Sequence, residues 1–403
     1  MSENNMMGQV MEQTAQQIEQ GVQQFQENVQ QVTEFQKSVY DSAVKLAQSF
    51  DYKKSMDELL EKQKNLIDGM KVMMNLTQED LATDQLEKEE VFGIGKMRLF
   101  HYKPLVTGRK LSKTPTLISY ALVNRQYMMD LQDDRSMIKA FLESGMDVYI
   151  IDWGYPTAED MYMTMEDHIE WYLNDCVDFV RNACKVDKIN LLGVCQGGTF
   201  SIIYSALHPE KIKNLITMVV PVDFSTNDGL LFRWGKDMNI DSLVDAYDGV
   251  VPGDTMNFTY LILKPINLMF NKYVALIDKM TDPKYMANFV RMERWTFDSP
   301  AQEGATLSQF IHNMYQDNKL IKNEFELDGK KVDLKKITMP VLCACAEKDH
   351  LVPLSASTPL IDAIGSKDKQ FLSFATGHIG MYTSSKSQKM IAPQIIEWIQ
   401  ARS

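Results

Sequence analysis

Positive charge is in short supply. The chain of 403 residues carries 42 lysines and arginines against 54 aspartates and glutamates, a net charge of -12. That balance excludes generic nucleic-acid binding through a basic surface. Long apolar runs are also missing, and none approaches the ~18 residues of a membrane-spanning helix. The opening MSENNMMGQV has no basic stretch leading into an apolar one, so no secretory signal is expected. Cysteine is sparse: Cys176, Cys184, Cys195, Cys343 and Cys345 are scattered and odd in number. This argues against a disulfide scaffold and for a reducing cytosol. Cys343 and Cys345 share one face of a strand in PVLCACAEKD. No partner pair at ligand spacing accompanies them, so they are expected to be small core residues, and no metal is expected.

Proline is withheld from the whole first quarter, where the first is Pro104. What fills that quarter is polar and regular. Residues 1–50 hold twelve glutamines. Beneath them runs a stripe at alternating steps of four and three: Met11, Ala15, Ile18, Val22, Phe25, Val29, Val32, Gln36, Val39, Ala43, Leu46 and Phe50. All but Gln36 are apolar, which predicts a long helix with a narrow seam. A second stripe follows at Met56, Leu59, Gln63, Leu66, Met70 and Met73, with Ser55 and Glu58 as a capping-box signature and a break near Asp51. Two readings stand. The segment 1–88 is either a helical hairpin packed on the main domain or a docking element for a partner subunit or an apolar particle surface.

From about Glu89 the texture changes. VFGIGKMRLFHYKP (91–104) reads as a β-hairpin. Strands are predicted at Thr116–Leu122, Asp147–Asp152, Lys188–Val194, Asn214–Val220, Val341–Ala346 and Gln370–Ala375. Helices are predicted at Asp133–Gly145, Thr164–Lys185, Gly197–His208, Pro353–Ile364 and Lys386–Gln400. Apolar strands alternating with helices predict an α/β fold, a mostly parallel sheet covered on both faces. The stretch 222–335 interrupts this alternation and reads as an inserted cap between two parts of the core, 89–221 and 336–403.

Within LLGVCQGGTF, the segment GVCQGG fits G-x-S-x-G with cysteine in the serine slot, between a strand and a helix. Gly193 and Gly197 leave room for a strained turn that presents Cys195 at a helix N-terminus, where thiolate is favoured. The Gln196 N–H can then donate to an oxyanion. A phosphate loop is the competing reading, but there is no G-x-G-x-x-G; a plain tight turn with a buried cysteine is another. Downstream, Asp349 follows a strand in CACAEKDHLVP, and His378 follows the last strand in FATGHIG. This nucleophile–acid–histidine order is the one used by α/β-hydrolases. Of the six histidines, His350 is the main rival base, while His101, His168, His208 and His312 are assigned structural roles. Asp152, at the end of IIDWG, is the rival acid. A cysteine nucleophile suits thioester substrates, because attack exchanges one thioester for another.

The segments INLLGVCQGGTFSIIYSALHPEKIKNLITMVVPVDF, VRMERWTFDSP, KVDLKKITMPVLCACAEKDHLVP and GHIGMYTSSKSQK closely resemble the catalytic subunit of class III polyhydroxyalkanoate synthases. The resemblance covers residues 89–403 and includes the family's G-x-C-x-G-G box. It implies an α/β-hydrolase fold with a cap, and polymerisation of (R)-3-hydroxyacyl-CoA, by analogy short-chain, into polyester with release of CoA. No cofactor is implied, since CoA belongs to the substrate. Cys195 would hold the acyl chain and His378 would activate it. Asp349 would act on the incoming 3-hydroxyl or orient His378. Backbone N–H groups of Gln196 and Val123 would form the oxyanion hole. Aromatic and methionine side chains of the cap, among them Phe224, Phe232, Met238, Phe289, Trp295 and Tyr315, supply both packing and candidate channel lining.

Members of this class lack a heptad helix of such length and work with a second, helical subunit. Residues 1–85 are therefore expected to bind that subunit, replace part of it, or hold the enzyme on cytoplasmic polyester granules, with a homodimer as a further possibility. Alternatives of function are a depolymerase or thioesterase of the same fold, and a granule-coating scaffold resembling phasins.

Overall fold

The computed structural model describes residues 52–106 and 111–402, together with positions 30, 33, 34, 37, 38 and 41. The stripe from Met11 to Phe50 and the break at Asp51 lie outside the described residues. Two compact units divide after Met70: 1–70 and 71–403. The second stripe forms one helix, Tyr52–Asn75. Ser55 lies inside this helix and not at its start, so the capping-box reading is corrected. Met56, Leu59, Leu66 and Met70 are exposed along it. Among the described residues, no helix is long and apolar enough to cross a membrane.

The second unit is built on an eight-stranded sheet. Its strands are β1 (Lys88–Ile94), β2 (Met97–Tyr102), β3 (Thr116–Ser119), β4 (Val148–Asp152), β5 (Ile189–Val194), β6 (Ile212–Met218), β7 (Val341–Ala346) and β8 (Lys369–Phe374). Their spatial order is β1-β2-β4-β3-β5-β6-β7-β8. β1, β2 and β4 pair antiparallel, and every pairing from β4 onward is parallel. The central strands are buried on both sides because successive apolar residues face opposite ways. Leu117, Leu191, Leu215 and Val341 enter one core, with Phe200 and Ile203 of the helix Cys195–Leu207. Ile118, Leu192, Ile216 and Leu342 enter the other, with Phe141, Ile395 and Trp398. Cys343 and Cys345 are buried on the first face with sulfurs 3.6 Å apart.

Boundaries differ from the sequence expectation where side chains intervene. β3 stops at Ser119 and not at Leu122, because the next carbonyl, that of Tyr120, accepts from Trp153 Nε1 at 2.8 Å instead of from a neighbouring strand. The helix expected over Pro353–Ile364 is split into Leu354–Ser357 and Leu360–Ala363, with Pro359 at the break.

Between β6 and β7 the chain leaves the sheet for short helices, including Leu230–Asp237, Gly253–Ile262, Pro283–Phe297 and Gly304–Phe310. A small ribbon pairs Val250–Val251 with Gln302–Glu303. Glu303 ties this insertion to the sheet. Its carboxylate is 1 % exposed, 3.0 Å from Lys96 Nζ in the β1–β2 turn and 3.5 Å from His168 Nε2. Burial alone would raise the Glu303 pKa, but the His168 ring and the Lys96 ammonium outweigh it and hold the group at about 2. An unfolded glutamate titrates near 4.5. The stabilisation from this carboxylate is therefore complete above pH 4.5 and lost as pH falls through about 2. Thermal unfolding followed from pH 6 down to pH 2 should show an acid limb that Glu303→Gln flattens; an identical acid limb in the variant would contradict this reading.

Candidate active site

Cys195 opens the helix Cys195–Leu207 with φ +52°, a left-handed conformation. For a residue with a Cβ this costs of order 1–3 kcal/mol and persists only where the surroundings enforce it. The enforcement comes from Gly197. A Cβ there would lie 2.1 Å from the Tyr120 carbonyl oxygen and 2.5 Å from that of Ser119. The first turn of the helix is thus pressed onto the end of β3, and only glycine permits the approach. The four first-turn N–H groups of a helix lack intrahelical acceptors, and Gln196 supplies one of them.

The loop after β3 completes this wall. The Leu122 N–H is engaged by the Gln196 side-chain carbonyl at 3.3 Å, which leaves Val123 as the next backbone donor along the loop. Val123, Gln196 and Cys195 line the same cavity. The loop is held from both sides. Arg125 donates to Asp152 at 2.6 Å and Gln126 to the same oxygen at 2.9 Å. From the insertion, Gln302 Nε2 donates to the Leu122 carbonyl at 3.3 Å, and Trp295 Nε1 to that of Arg125 at 2.8 Å. Asp152, the rival acid, is therefore occupied in fixing this loop.

Asp349 and His378 meet across the ends of β7 and β8. Asp349 Oδ2 lies 2.7 Å from His378 Nδ1. Its other oxygen accepts from the N–H groups of Leu351 at 2.8 Å and Val352 at 2.9 Å. Burial would raise the Asp349 pKa, yet the His378 charge and hydrogen bond, with those two N–H groups, bring it below the ordinary value. Burial would likewise lower the His378 pKa, but the Asp349 carboxylate and the nearby Cys195 sulfur push it up to about 10. The ring thus stands between carboxylate and thiol. Its burial, at 6 % exposure, keeps that charge pattern out of water.

His350 is half-buried on the same cavity, with its pKa lowered by burial and by the nearby Lys264 charge. The remaining histidines are engaged elsewhere: His101 with Asp147, His208 with Glu170, His312 with Asp241, and His168 beside Glu303.

The cavity occupies about 560 Å³ and runs from Cys195 into the insertion. Met238, Phe289, Trp295 and Tyr315 line it. Phe224 and Phe232 are buried in the core instead, while Phe270, Tyr273 and Phe297 are exposed. Neither Tyr260 nor Asn257, which also line the wall, is marked by any sequence motif.

The sheet order, the turn at Cys195 and the Asp349–His378 pair define an α/β-hydrolase, and a family model described as alpha/beta hydrolase fold matches residues 127–385. Within that class, the chain is 47% identical over 349 residues to the poly(3-hydroxyalkanoate) polymerase subunit PhaC of Allochromatium vinosum, covering 87% of this chain and 98% of that one. It is 43% identical over 355 residues to the PhaC subunit of Synechocystis, covering 86% and 93%. Against the PhaC subunit of Cupriavidus necator it is 27% identical over 305 residues, covering 72% and 50%. The chain belongs to the PhaC family of poly(3-hydroxyalkanoate) polymerases.

Gly197→Ala checks the turn. The added methyl must displace the backbone at Tyr120, so thermal unfolding should show a loss of about 1–3 kcal/mol. Iodoacetamide labelling of Cys195 should slow in parallel. A variant as stable and as reactive as the parent would contradict the account of the turn.

Proposed function

We propose that this enzyme polymerises (R)-3-hydroxyacyl-CoA, short-chain as in 3-hydroxybutyryl-CoA, into polyester, with the chain carried on Cys195 and CoA released at each addition. The observation that carries this reading is the apolar cavity that begins at Cys195. It offers an acyl chain a mostly apolar path away from the nucleophile.

In this mechanism the thiol proton passes to His378, and the Cys195 sulfur attacks the thioester carbonyl. The N–H groups of Gln196 and Val123 hold the oxyanion. Collapse expels the CoA thiolate, which takes the proton from His378. The 3-hydroxyl of the next monomer-CoA then loses its proton to His378 and attacks the acyl group. The bond to the Cys195 sulfur breaks, and the thiolate takes the proton from His378. Cys195 then attacks the CoA thioester of the extended chain in the same way, regaining the chain and expelling CoA. For Asp349 we favour the orienting role. Both of its oxygens are already committed, to His378 and to the N–H groups of Leu351 and Val352. Its lowered pKa also makes it a poor base.

The insertion 222–335 serves as a cap over the acyl path. The N-terminal helix, with its exposed seam, is assigned to a second helical subunit or to the granule surface in the cytoplasm. No metal or cofactor enters the scheme.

Purified protein given 3-hydroxybutyryl-CoA should release CoA and form polymer together; free hydroxy acid with CoA would mark a thioesterase instead. Cys195→Ala should abolish CoA release, and full turnover by that variant would sink the assignment. Asp349→Asn should slow acylation of Cys195 itself, by about two to four orders of magnitude. Acylation at the parental rate with elongation alone lost would transfer Asp349 to the monomer hydroxyl.

A further inference from the structure

The cavity wall carries one polar group whose orientation is fixed and whose donor is unused. Asn257, on the helix Gly253–Ile262, is 5 % exposed and lines the cavity. Asn124, next to Val123, donates through Nδ2 to Ser299 Oγ at 2.8 Å. Ser299 in turn donates to Asn257 Oδ1 at 2.7 Å. This relay holds the Asn257 carbonyl and sets the side of the amide that remains. Asn257 Nδ2 is buried without a hydrogen-bond partner among the described residues. A buried amide donor left unpaired is costly to keep.

The surroundings narrow what it accepts. Met256, Tyr260 and Trp295 line the same cavity, and its ammonium group, Lys272, is paired with Glu293 at 2.8 Å. An anion would find no free cation from Lys272, whereas a neutral carbonyl oxygen meets its one need, a donor. Because the relay begins beside Val123, this donor is tied to the loop that flanks the nucleophile.

We propose that Asn257 Nδ2 is a carbonyl-binding subsite of the substrate channel and a determinant of specificity. This rests on the polymerase reading above. Two parts of such a substrate present that chemistry: the amide carbonyls of the pantetheine arm and the ester carbonyls of the growing chain.

The test compares the full chain with Asn257→Leu and Ser299→Ala, the second removing the hydroxyl that orients the amide. Each is given 3-hydroxybutyryl-CoA or the S-propyl thioester of 3-hydroxybutyrate, which has no amide. Thiol release is followed in the first turnover, and polymer growth afterwards. If the donor holds pantetheine, Asn257→Leu loses about three- to tenfold in first-turnover efficiency with the CoA thioester and nothing with the propyl thioester. If it holds polyester, the first turnover is unchanged with both, and elongation slows with both. Ser299→Ala should follow the same pattern more weakly, and it carries the test should Asn257→Leu not fold. Unchanged kinetics in both phases, as expected if only a trapped water accepts from Asn257, overturns the proposal. So does an equal first-turnover loss with both thioesters, which marks a damaged site. Absence of thiol release and polymer from the unsubstituted chain would overturn the polymerase reading itself, a result distinct from either.

Discussion

The contact between Gly197 and the backbone at Tyr120 is the constraint on which the site depends. With only a hydrogen where a Cβ would sit 2.1 Å from a carbonyl oxygen, the first turn of the helix closes onto the end of β3. Three consequences follow from that one approach. Cys195 is held at φ +52° and presented to the cavity. The N–H groups of the first turn are brought beside the loop that carries Val123. The Gln196 side chain reaches the Leu122 N–H and removes it from competition. Strain at Cys195 is thus not a local accident but the result of two backbones packed at contact distance.

Around this turn, charge is kept dry and paired. Asp349 gives one oxygen to His378 and the other to two backbone N–H groups, so its ionised form is satisfied without water. His378 holds its proton more strongly than a free imidazole because carboxylate and sulfur flank it. Farther out, Glu303 anchors the insertion through Lys96, and its neighbour Gln302 reaches the loop after β3. The insertion and the loop after β3 are therefore coupled through adjacent residues of one short strand. Placement of the insertion and placement of the loop that carries Val123 are parts of the same network.

Much of this was legible in the residues themselves. Parallel strands buried on both faces read as continuous apolar runs, which is why β4, β5, β6 and β7 fall within a residue or two of expectation. The turn was legible because its glycines answer a steric demand, and Asp349 and His378 because each follows a strand end in a fixed chain order. What was not legible depends on partners distant in sequence. β3 ends where Trp153 claims the Tyr120 carbonyl. Asp152 reads as a spare acid in the sequence, whereas Arg125 and Gln126 hold it in the fold. Aromatics of the insertion, of equal hydrophobicity, divide between core, cavity and surface, a sorting that tertiary packing decides. Asn124 and Ser299 are 175 residues apart, and no local pattern announces that they meet.

The central claim is that the acyl chain grows while attached to Cys195. Intact-mass spectrometry of the enzyme, acid-quenched during turnover of 3-hydroxybutyryl-CoA, tests it most directly. The account predicts a ladder of masses spaced by one 3-hydroxybutyryl repeat, with peptide mapping placing every adduct on Cys195. Unmodified enzyme throughout turnover, or adducts carried on another residue while polymer accumulates, would contradict it.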